Sequence, residues 1–344
     1  MTDFAVATVS SEVALAPPPP SLSKRLRRAM TSSPAYMGMI LLVLVLFFTG
    51  MRPNTFASVF NIRNIFLDAS VLLVLATGMT YVMIAGGFDL SIGSVLVFAG
   101  VAAAKAMEAI GSESAWTLVI GTIIALITGG VWGLFNGFCI ARLRVSALIT
   151  TLGSMGAALG LAYLITDGND IRTVPKLLMS IGHGSIFGIP WLVLITAVVA
   201  TIAMVSLHMT KFGRHTYLVG SNPEAARRAG INVPRHLMSL YGLSGLLAGL
   251  AAMLSLGRFS TTTLEGHGTD PLEAVTAVVL GGTSLYGGSG SIIGTVVGVF
   301  IPAVLGNGFI IMGVQPFWQM VVIGFVVIAA VYVDQLKRQT RDRG

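Results

Sequence analysis

Residues 116–140 read WTLVIGTIIALITGGVWGLFNGFCI, a run of 25 residues without a charged side chain. A helix needs about 20 predominantly apolar residues to cross the hydrocarbon core of a bilayer, so this run is long enough to cross alone. The rest of the chain is similar, because 54% of its 344 residues are hydrophobic and only 10% are charged. Soluble domains carry about 25% charged residues. The sequence therefore predicts an all-α, polytopic transmembrane helical bundle.

Ten apolar spans separated by polar segments predict about ten helices. They cover residues 35–51, 65–85, 92–109, 116–140, 146–166, 190–208, 238–257, 274–286, 291–312 and 316–333. The eighth span has only 13 residues and ends in a glycine run. We expect residues 34–334 to form the transmembrane domain, residues 1–33 a disordered cytoplasmic tail, and residues 335–344 a second cytoplasmic tail.

Positive charge is distributed unevenly between the two sets of loops. Ten crossings place both termini on one side, and with that side inside, 15 of the 21 Lys and Arg residues fall in inner segments. The positive-inside rule then favours both termini in the cytoplasm. The sequence thus predicts a multi-pass membrane protein in contact with membrane lipid. The formal charge of +7 is explained without nucleic acid.

Small residues recur at four-residue spacing in three of the spans. They are Gly129, Gly133 and Gly137; Gly245 and Gly249; and Gly294 and Gly298. Residues at this spacing share one face of a helix, and small side chains let two helix backbones approach closely. The pattern predicts close helix packing.

A short polar helix is predicted inside the loop 209–237. Asn222 or Ser221 can cap its N-terminus, and Pro223 suits the first helical position, where no N–H is needed. Glu224 complements the positive end of the helix dipole. Gly230 can end the helix in a left-handed conformation.

Two interpretations of this polar helix remain open. It is either an ordinary surface helix between two crossings or a surface on which a partner chain docks, and its length does not decide between them. The residues assigned to the docking hypothesis are Asn222, Pro223, Glu224, Ala225, Ala226, Arg227 and Gly230.

Two segments, 86–94 and 287–295, each interrupt an apolar span with glycines and then open a helix rich in small residues. Transporters often contain internal repeats with broken helices. The candidate helix-break and gating residues are Gly86, Gly87, Asp89, Ser91 and Gly93 in the first segment, and Gly281, Gly282, Gly287 and Gly288 in and before the second.

Acidic residues at bilayer depth are costly and suggest function. Asp89 precedes Ser91 at a predicted helix start, so either side chain is a candidate cap, and a gating or partner contact is the alternative for Asp89. Asp68 is predicted to face headgroups or a cavity. The loop 258–273 mixes acidic, basic and threonine side chains, which fits a solvated loop or a docking rim for an extracytoplasmic partner.

Catalytic and metal motifs are missing from the sequence. There is no GxxxxGK[ST] nucleotide loop, and no Lys lies between residues 212 and 336. Cys139 is the single cysteine, and none of the five His residues lies in an HExxH pattern. We expect a non-catalytic subunit with no cofactor or metal of its own.

Three segments, in order along the chain, resemble a known family. They are Ala76–Ser94, Gly220–Asn232 and Val278–Thr295, followed by Asn307 and Gly308. Over about residues 36–333 the chain resembles the ribose/xylose/arabinose-type permease subunits of bacterial ABC sugar importers. Phe88 departs from the family, which usually has Ile before the Asp.

The resemblance implies a ten-helix fold like that of the vitamin B12-type permeases. It implies a second permease subunit, identical or different, and two cytoplasmic ABC ATPase subunits that bind ATP and Mg. It also implies a periplasmic sugar-binding protein, and it assigns the segment 222–230 to the ATPase contact. The substrate would be a monosaccharide or related polyol.

Two rival functions make different demands on the sequence. An ion-coupled secondary transporter needs buried acids or histidines at mid-bilayer, and only Asp68 and Asp89 come near that depth. A membrane-embedded enzyme needs convergent acids, histidines or a nucleophile pair. Because the sequence shows no clear cluster of membrane-embedded acids and aromatic residues, we expect sugar selectivity to reside largely in the binding protein.

Overall fold

The computed structural model describes residues 33–315 and scattered residues between 317 and 332. The predicted tails, 1–33 and 335–344, therefore lie outside the described residues apart from Ser33. The tenth predicted span, 316–333, lies partly outside them.

The described chain is almost entirely helical. Its helices are α1 Ser33–Met51, α2 Pro53–Phe56, α3 Val59–Ile84, α4 Ile92–Ile110, α5 Ala115–Ala141, α6 Ala147–Thr166, α7 Lys176–His183, α8 Trp191–Met209, α9 Lys211–Ser221, α10 Pro223–Arg228, α11 Val233–Phe259, α12 Asp270–Leu280 and α13 Ile292–Ile311. A short antiparallel pair, β1 Ser185–Ile186 and β2 Ile189–Pro190, lies between α7 and α8.

Within the described residues, seven helices are long and apolar enough to cross a membrane, and Tyr36–Met51 is a shorter apolar helix. The prediction of an all-α polytopic membrane bundle is confirmed. The first seven predicted spans and the ninth each coincide with one helix of 19 to 27 residues. The total of ten crossings stays a prediction.

The eighth predicted span has different bounds in the structure. Its helix, α12, begins at Asp270 and ends at Leu280, because Gly281 and Gly282 follow and Gly282 has φ +91°. At about 1.5 Å per residue, its 11 residues extend only about half of a bilayer core. The eighth span is therefore a half-length helix followed by a glycine-rich turn.

Helices α5 and α11 pack with their backbones in contact. They run antiparallel, because Gly137 lies beside Met238 and Gly129 lies beside Gly249. A Cβ atom placed on Gly133 would lie 3.0 Å from the Cα of Gly245. The close packing predicted from the glycine spacing is confirmed for this pair.

Helices α12 and α13 repeat the same arrangement. A Cβ on Gly281 would lie 2.7 Å from the backbone N of Thr295, and a Cβ on Gly298 would lie 3.1 Å from the N of Gly281. The predicted close approach at Gly294 and Gly298 is therefore also present.

The two ends of the bundle differ. The end that we call the α10 end contains Ile84, Ala141 and Val233, from which α9 and α10 project. The opposite end, called the Arg258 end, contains the start of α3 and the last turn of α11. Helices α3 and α11 each extend from one end to the other, so they connect the two ends structurally.

Neighbouring glycines of α5 allow a matched test of the packing. We expect Gly129→Ala to lower the free energy of unfolding by about 1–3 kcal/mol, because the added methyl would meet the backbone of Gly245. Gly130→Ala should be neutral or slightly stabilising, because its Cβ would lie 3.9 Å from Leu246. Thermal unfolding in detergent measures both, and equal effects of the two substitutions would contradict the packing.

Candidate functional site: an exposed capped helix beside two helix breaks

The polar helix predicted from the sequence is present as α10. The Oδ1 atom of Asn222 accepts hydrogen bonds from the backbone N–H groups of Glu224 and Ala225, each at 3.0 Å. Pro223 is the first helical residue. Gly230 has φ +82°, the left-handed conformation expected just beyond a helix end. Asn222 rather than Ser221 is thus the cap.

One face of α10 is charged and exposed. The carboxylate of Glu224 lies 3.0 Å from the guanidinium of Arg227 and 3.7 Å from that of Arg228. These side chains are between 58% and 81% exposed. Exposed ion pairs contribute little stability, so the pairs are not needed to hold the helix in place.

The opposite face of α10 anchors it to the protein. Ala226 is 2% exposed and packs in a small apolar cluster with Val219, Ile231 and Val233. Of the residues assigned to docking, Ala226 therefore lies beneath the exposed surface, whereas its neighbour Ala225 is exposed.

The helix before α10 was not predicted from the sequence. Thr210 caps α9, because its hydroxyl oxygen accepts a hydrogen bond from the N–H of Gly213 at 3.3 Å. Gly213, Thr216 and Val219 form its buried stripe at three-residue spacing. The Thr cap was the available signal for a helix start.

The end of α9 meets both helix breaks at one point, which we call the glycine junction: Ile84, Gly86, Gly220, Gly287 and Gly288. The N–H of Gly288 donates to the carbonyl of Ile84 at 2.8 Å. A Cβ on Gly287, which has φ +83°, would lie 2.9 Å from the N of Gly86 and 3.0 Å from the O of Gly220. Three chain segments therefore touch through backbone atoms, and Gly220 lies two residues before Asn222, the cap of α10.

The first break, between Ile84 and Ile92, is fixed by buried polar contacts to α11. Asp89 is 1% exposed. Its Oδ1 accepts from the N–H of Ser91 at 3.1 Å and the hydroxyl of Ser91 at 2.6 Å, and its Oδ2 accepts from the hydroxyl of Ser244 at 2.9 Å. Tyr241 donates to the carbonyl of Phe88 at 3.1 Å.

These contacts favour a structural role for Asp89. The side chain of Ser91, at the N-cap position of α4, makes no capping hydrogen bond, whereas Asp89 binds the N–H of Ser91 itself. The Ser91 hydroxyl oxygen also accepts from Nδ2 of Asn136 in α5 at 2.8 Å. The acid thus satisfies buried donors on the non-helical segment and ties it to the bundle.

The loop 258–273 is expected from the sequence to be a solvated loop or a docking rim, but its non-helical part, 260–269, folds partly into the bundle. Thr262, Leu264 and His267 are each between 4% and 6% exposed. Asp170 holds this segment, since its Oδ1 accepts from the hydroxyl of Thr262 and the N–H of Leu264, both at 3.0 Å. The solvated-loop interpretation is therefore wrong for these three buried residues, although Glu265 of the same loop is exposed.

The starts of α4 and α12 meet inside the protein. A Cβ on Gly93 would lie 3.1 Å from Cδ of Pro271. Helix α4 follows a non-helical segment that enters from the α10 end, and α12 follows one that enters from the Arg258 end. Irregular backbone at membrane depth is tolerated where protein surrounds it.

Long apolar helices interrupted by two glycine-rich breaks define a multi-pass membrane protein with the architecture of a transport subunit. Residues 61–331 match the family described as the branched-chain amino acid transport system, permease component. The chain belongs to this family.

Named relatives agree with the family assignment. The chain is 37% identical to the ribose import permease protein of Escherichia coli (strain K12) over 87% of this chain and 92% of that one. It is 36% identical to the L-arabinose transport system permease protein of the same strain, over 88% and 92%. It is 32% identical to the fructose import permease protein of Rhizobium meliloti, over 93% and 90%. No solved structure matches the chain.

Two glycines with positive φ test the junction. We expect Gly313→Ala to cost about 1–3 kcal/mol of backbone strain only, because nothing lies within 4 Å of its Cβ. Gly287→Ala should cost about 1–3 kcal/mol more, because its methyl would also meet Gly86 and Gly220. Unfolding temperatures in detergent compare them, and a Gly287→Ala variant as stable as Gly313→Ala would argue against the close contact.

Proposed function

We propose that this chain is the permease subunit of an ATP-driven importer that carries a monosaccharide or a related polyol across the bacterial inner membrane. The names of the relatives, which are permeases for ribose, arabinose and fructose, support the sugar class. The observation that carries the mechanism is the position of α10, an exposed charged helix whose cap, Asn222, lies two residues after Gly220 of the glycine junction.

In this proposal α10 receives force and the glycine junction transmits it. A partner that moves the exposed face of α10 also moves Ala226, which packs in the cluster with Val219. It also moves the end of α9, which lies at the glycine junction. The junction touches the end of α3 and the loop that leads into α13, so its movement reaches both helix breaks. Close-packed backbone leaves little room to absorb such a displacement locally.

The sequence of this chain contains no nucleotide-binding loop, so the proposed importer needs partner subunits. In this proposal a separate ATPase subunit, docked on α10, binds ATP and Mg. A nearly complete switch between two pathway states requires about 5.5 kcal/mol of differential binding, which ATP bound between paired ATPases is able to supply. A second permease subunit and a periplasmic sugar-binding protein complete the complex. The α10 end and both termini would be cytoplasmic.

Reversing the charge of Glu224 tests the docking surface. Glu224→Lys should reduce ATP-dependent sugar uptake by at least about tenfold, because a partner matched to the negative charge would meet a positive one. Glu108→Lys is the matched control, since Glu108 is also an exposed acid paired three residues away, with Lys105, but lies at the other end. Uptake and ATPase activity are measured with both variants at equal membrane levels.

The exposed alanine of α10 gives an independent test. Ala225→Trp adds bulk to the exposed face without disturbing the buried cluster, so the protein should stay folded in the membrane while sugar no longer stimulates ATP hydrolysis. Ala226→Trp would instead disrupt the anchor and lower stability, because Ala226 is buried. Normal uptake by the Ala225→Trp variant would show that no partner docks on α10.

The energy source for uptake distinguishes the proposed ATP-driven importer from an ion-coupled secondary transporter. Uptake in cells should stop when ATP is depleted with the ion gradient maintained, and should continue when an uncoupler removes the gradient but ATP is restored. The reverse pattern would favour a secondary transporter.

A further inference from the structure

A cavity of about 310 Å³, with charged side chains among its lining residues, lies at the Arg258 end between α3, α11, α12 and α13. Its polar lining consists of Asp68, Arg258, Thr263, His267, Asp270 and Glu273. These residues are dispersed over more than 200 positions of the sequence, and only the fold brings them together. The cavity is at the lower end of the size range of about 300–1,000 Å³ that small-ligand pockets occupy.

The charged side chains of this cavity hold one another in place. Asp68 forms an ion pair with Arg258 through its Oδ1. Nδ1 of His267 lies 2.7 Å from Oδ2 of Asp270, and its Nε2 lies 2.9 Å from the hydroxyl of Ser255. Glu273 accepts from the hydroxyl of Thr269 at 3.1 Å through its Oε1. Groups fixed in this way are ready to bind without further ordering.

Each of the three carboxylates retains one oxygen for a ligand. Among the described residues, Oδ2 of Asp68, Oδ1 of Asp270 and Oε2 of Glu273 make no hydrogen bond. The Nη1 atom of Arg258 likewise makes no hydrogen bond among these residues, since only Nη2 donates to Asp68. The site therefore offers three acceptors and one donor, next to apolar walls formed by Leu72 and Phe259.

This combination fits a neutral polyhydroxylated molecule. Sugar hydroxyls donate to carboxylate oxygens and accept from a guanidinium, while the C–H faces of the ring pack on apolar walls. Three carboxylates disfavour an anion. A metal ion is disfavoured too, since no group of three or more His, Cys, Asp or Glu residues in the described part of the chain is arranged to hold one.

We propose that this cavity binds free monosaccharide directly, so that the permease itself recognises sugar at its extracytoplasmic mouth. The proposal rests on the proposed function, which places the α10 end in the cytoplasm and the Arg258 end on the side where a binding protein releases sugar. The permease then contributes to selectivity, whereas the sequence leads us to expect that selectivity resides largely in the binding protein.

Direct binding to the full chain tests this assignment. The protein in lipid nanodiscs, without binding protein, is dialysed to equilibrium against tritiated D-ribose, L-arabinose and D-fructose in turn. We expect saturable binding of at least one sugar. Glu273→Gln should weaken it by at least about tenfold, because one acceptor becomes a donor of the wrong kind. Glu108→Gln removes an exposed charge at the same end, outside the cavity, and should leave binding unchanged.

A second variant leaves every charge in place. Ala303 lines the cavity, and Ala303→Phe should fill it and abolish binding while gel filtration shows a folded protein. Wild-type binding by the Glu273→Gln or Ala303→Phe variant overturns the assignment. ATP-driven uptake of a sugar that shows no saturable binding to the chain also overturns the cavity assignment, but it upholds the proposed function. Saturable binding without ATP-driven uptake supports the cavity and overturns the proposed function instead.

Discussion

Inside a bilayer, helices gain little from burying apolar side chains against one another, because lipid is equally apolar. Here the helices instead touch through their backbones, at Gly133 and Gly245 between α5 and α11, and at Gly281 and Gly294 between α12 and α13. Such contacts leave no flexible side chain to absorb a displacement. The position of α11 depends on this close approach, and the glycine junction is a further backbone contact of the same kind.

The breaks in the helices are possible because the bundle satisfies their polar groups. Asp89 and Tyr241 bind the first break, and Asp170 binds the non-helical segment 260–269 that precedes α12. Without these partners, backbone N–H and C=O groups at membrane depth would each cost several kcal/mol. Buried polar residues that suggest catalysis or ion coupling in a sequence therefore serve here, in large part, to stabilise irregular backbone.

The two ends of the molecule have complementary properties. The α10 end presents a charged convex helix with a buried anchor at Ala226, suited to contact with another protein. The Arg258 end presents a concave cavity with fixed carboxylates, suited to a small ligand. Helix α11 contacts both sites, and α3 extends from the glycine junction to the cavity, so a change at either end has a continuous packed route to the other. Close packing makes such a route physically reasonable, since well-packed helices shift as units.

The sequence alone determined the all-α membrane class, the glycine faces and the capped α10 helix, because apolar length, four-residue spacing and capping chemistry are all local properties. It did not reveal α9, whose buried stripe is short, or the half-length of α12, which depends on where Gly281 turns the chain. Nor did it reveal that Asp68, His267 and Glu273 share one cavity. Only the tertiary structure decides such encounters, since they depend on how α3, α11 and α12 pack and not on the spacing of residues along the chain.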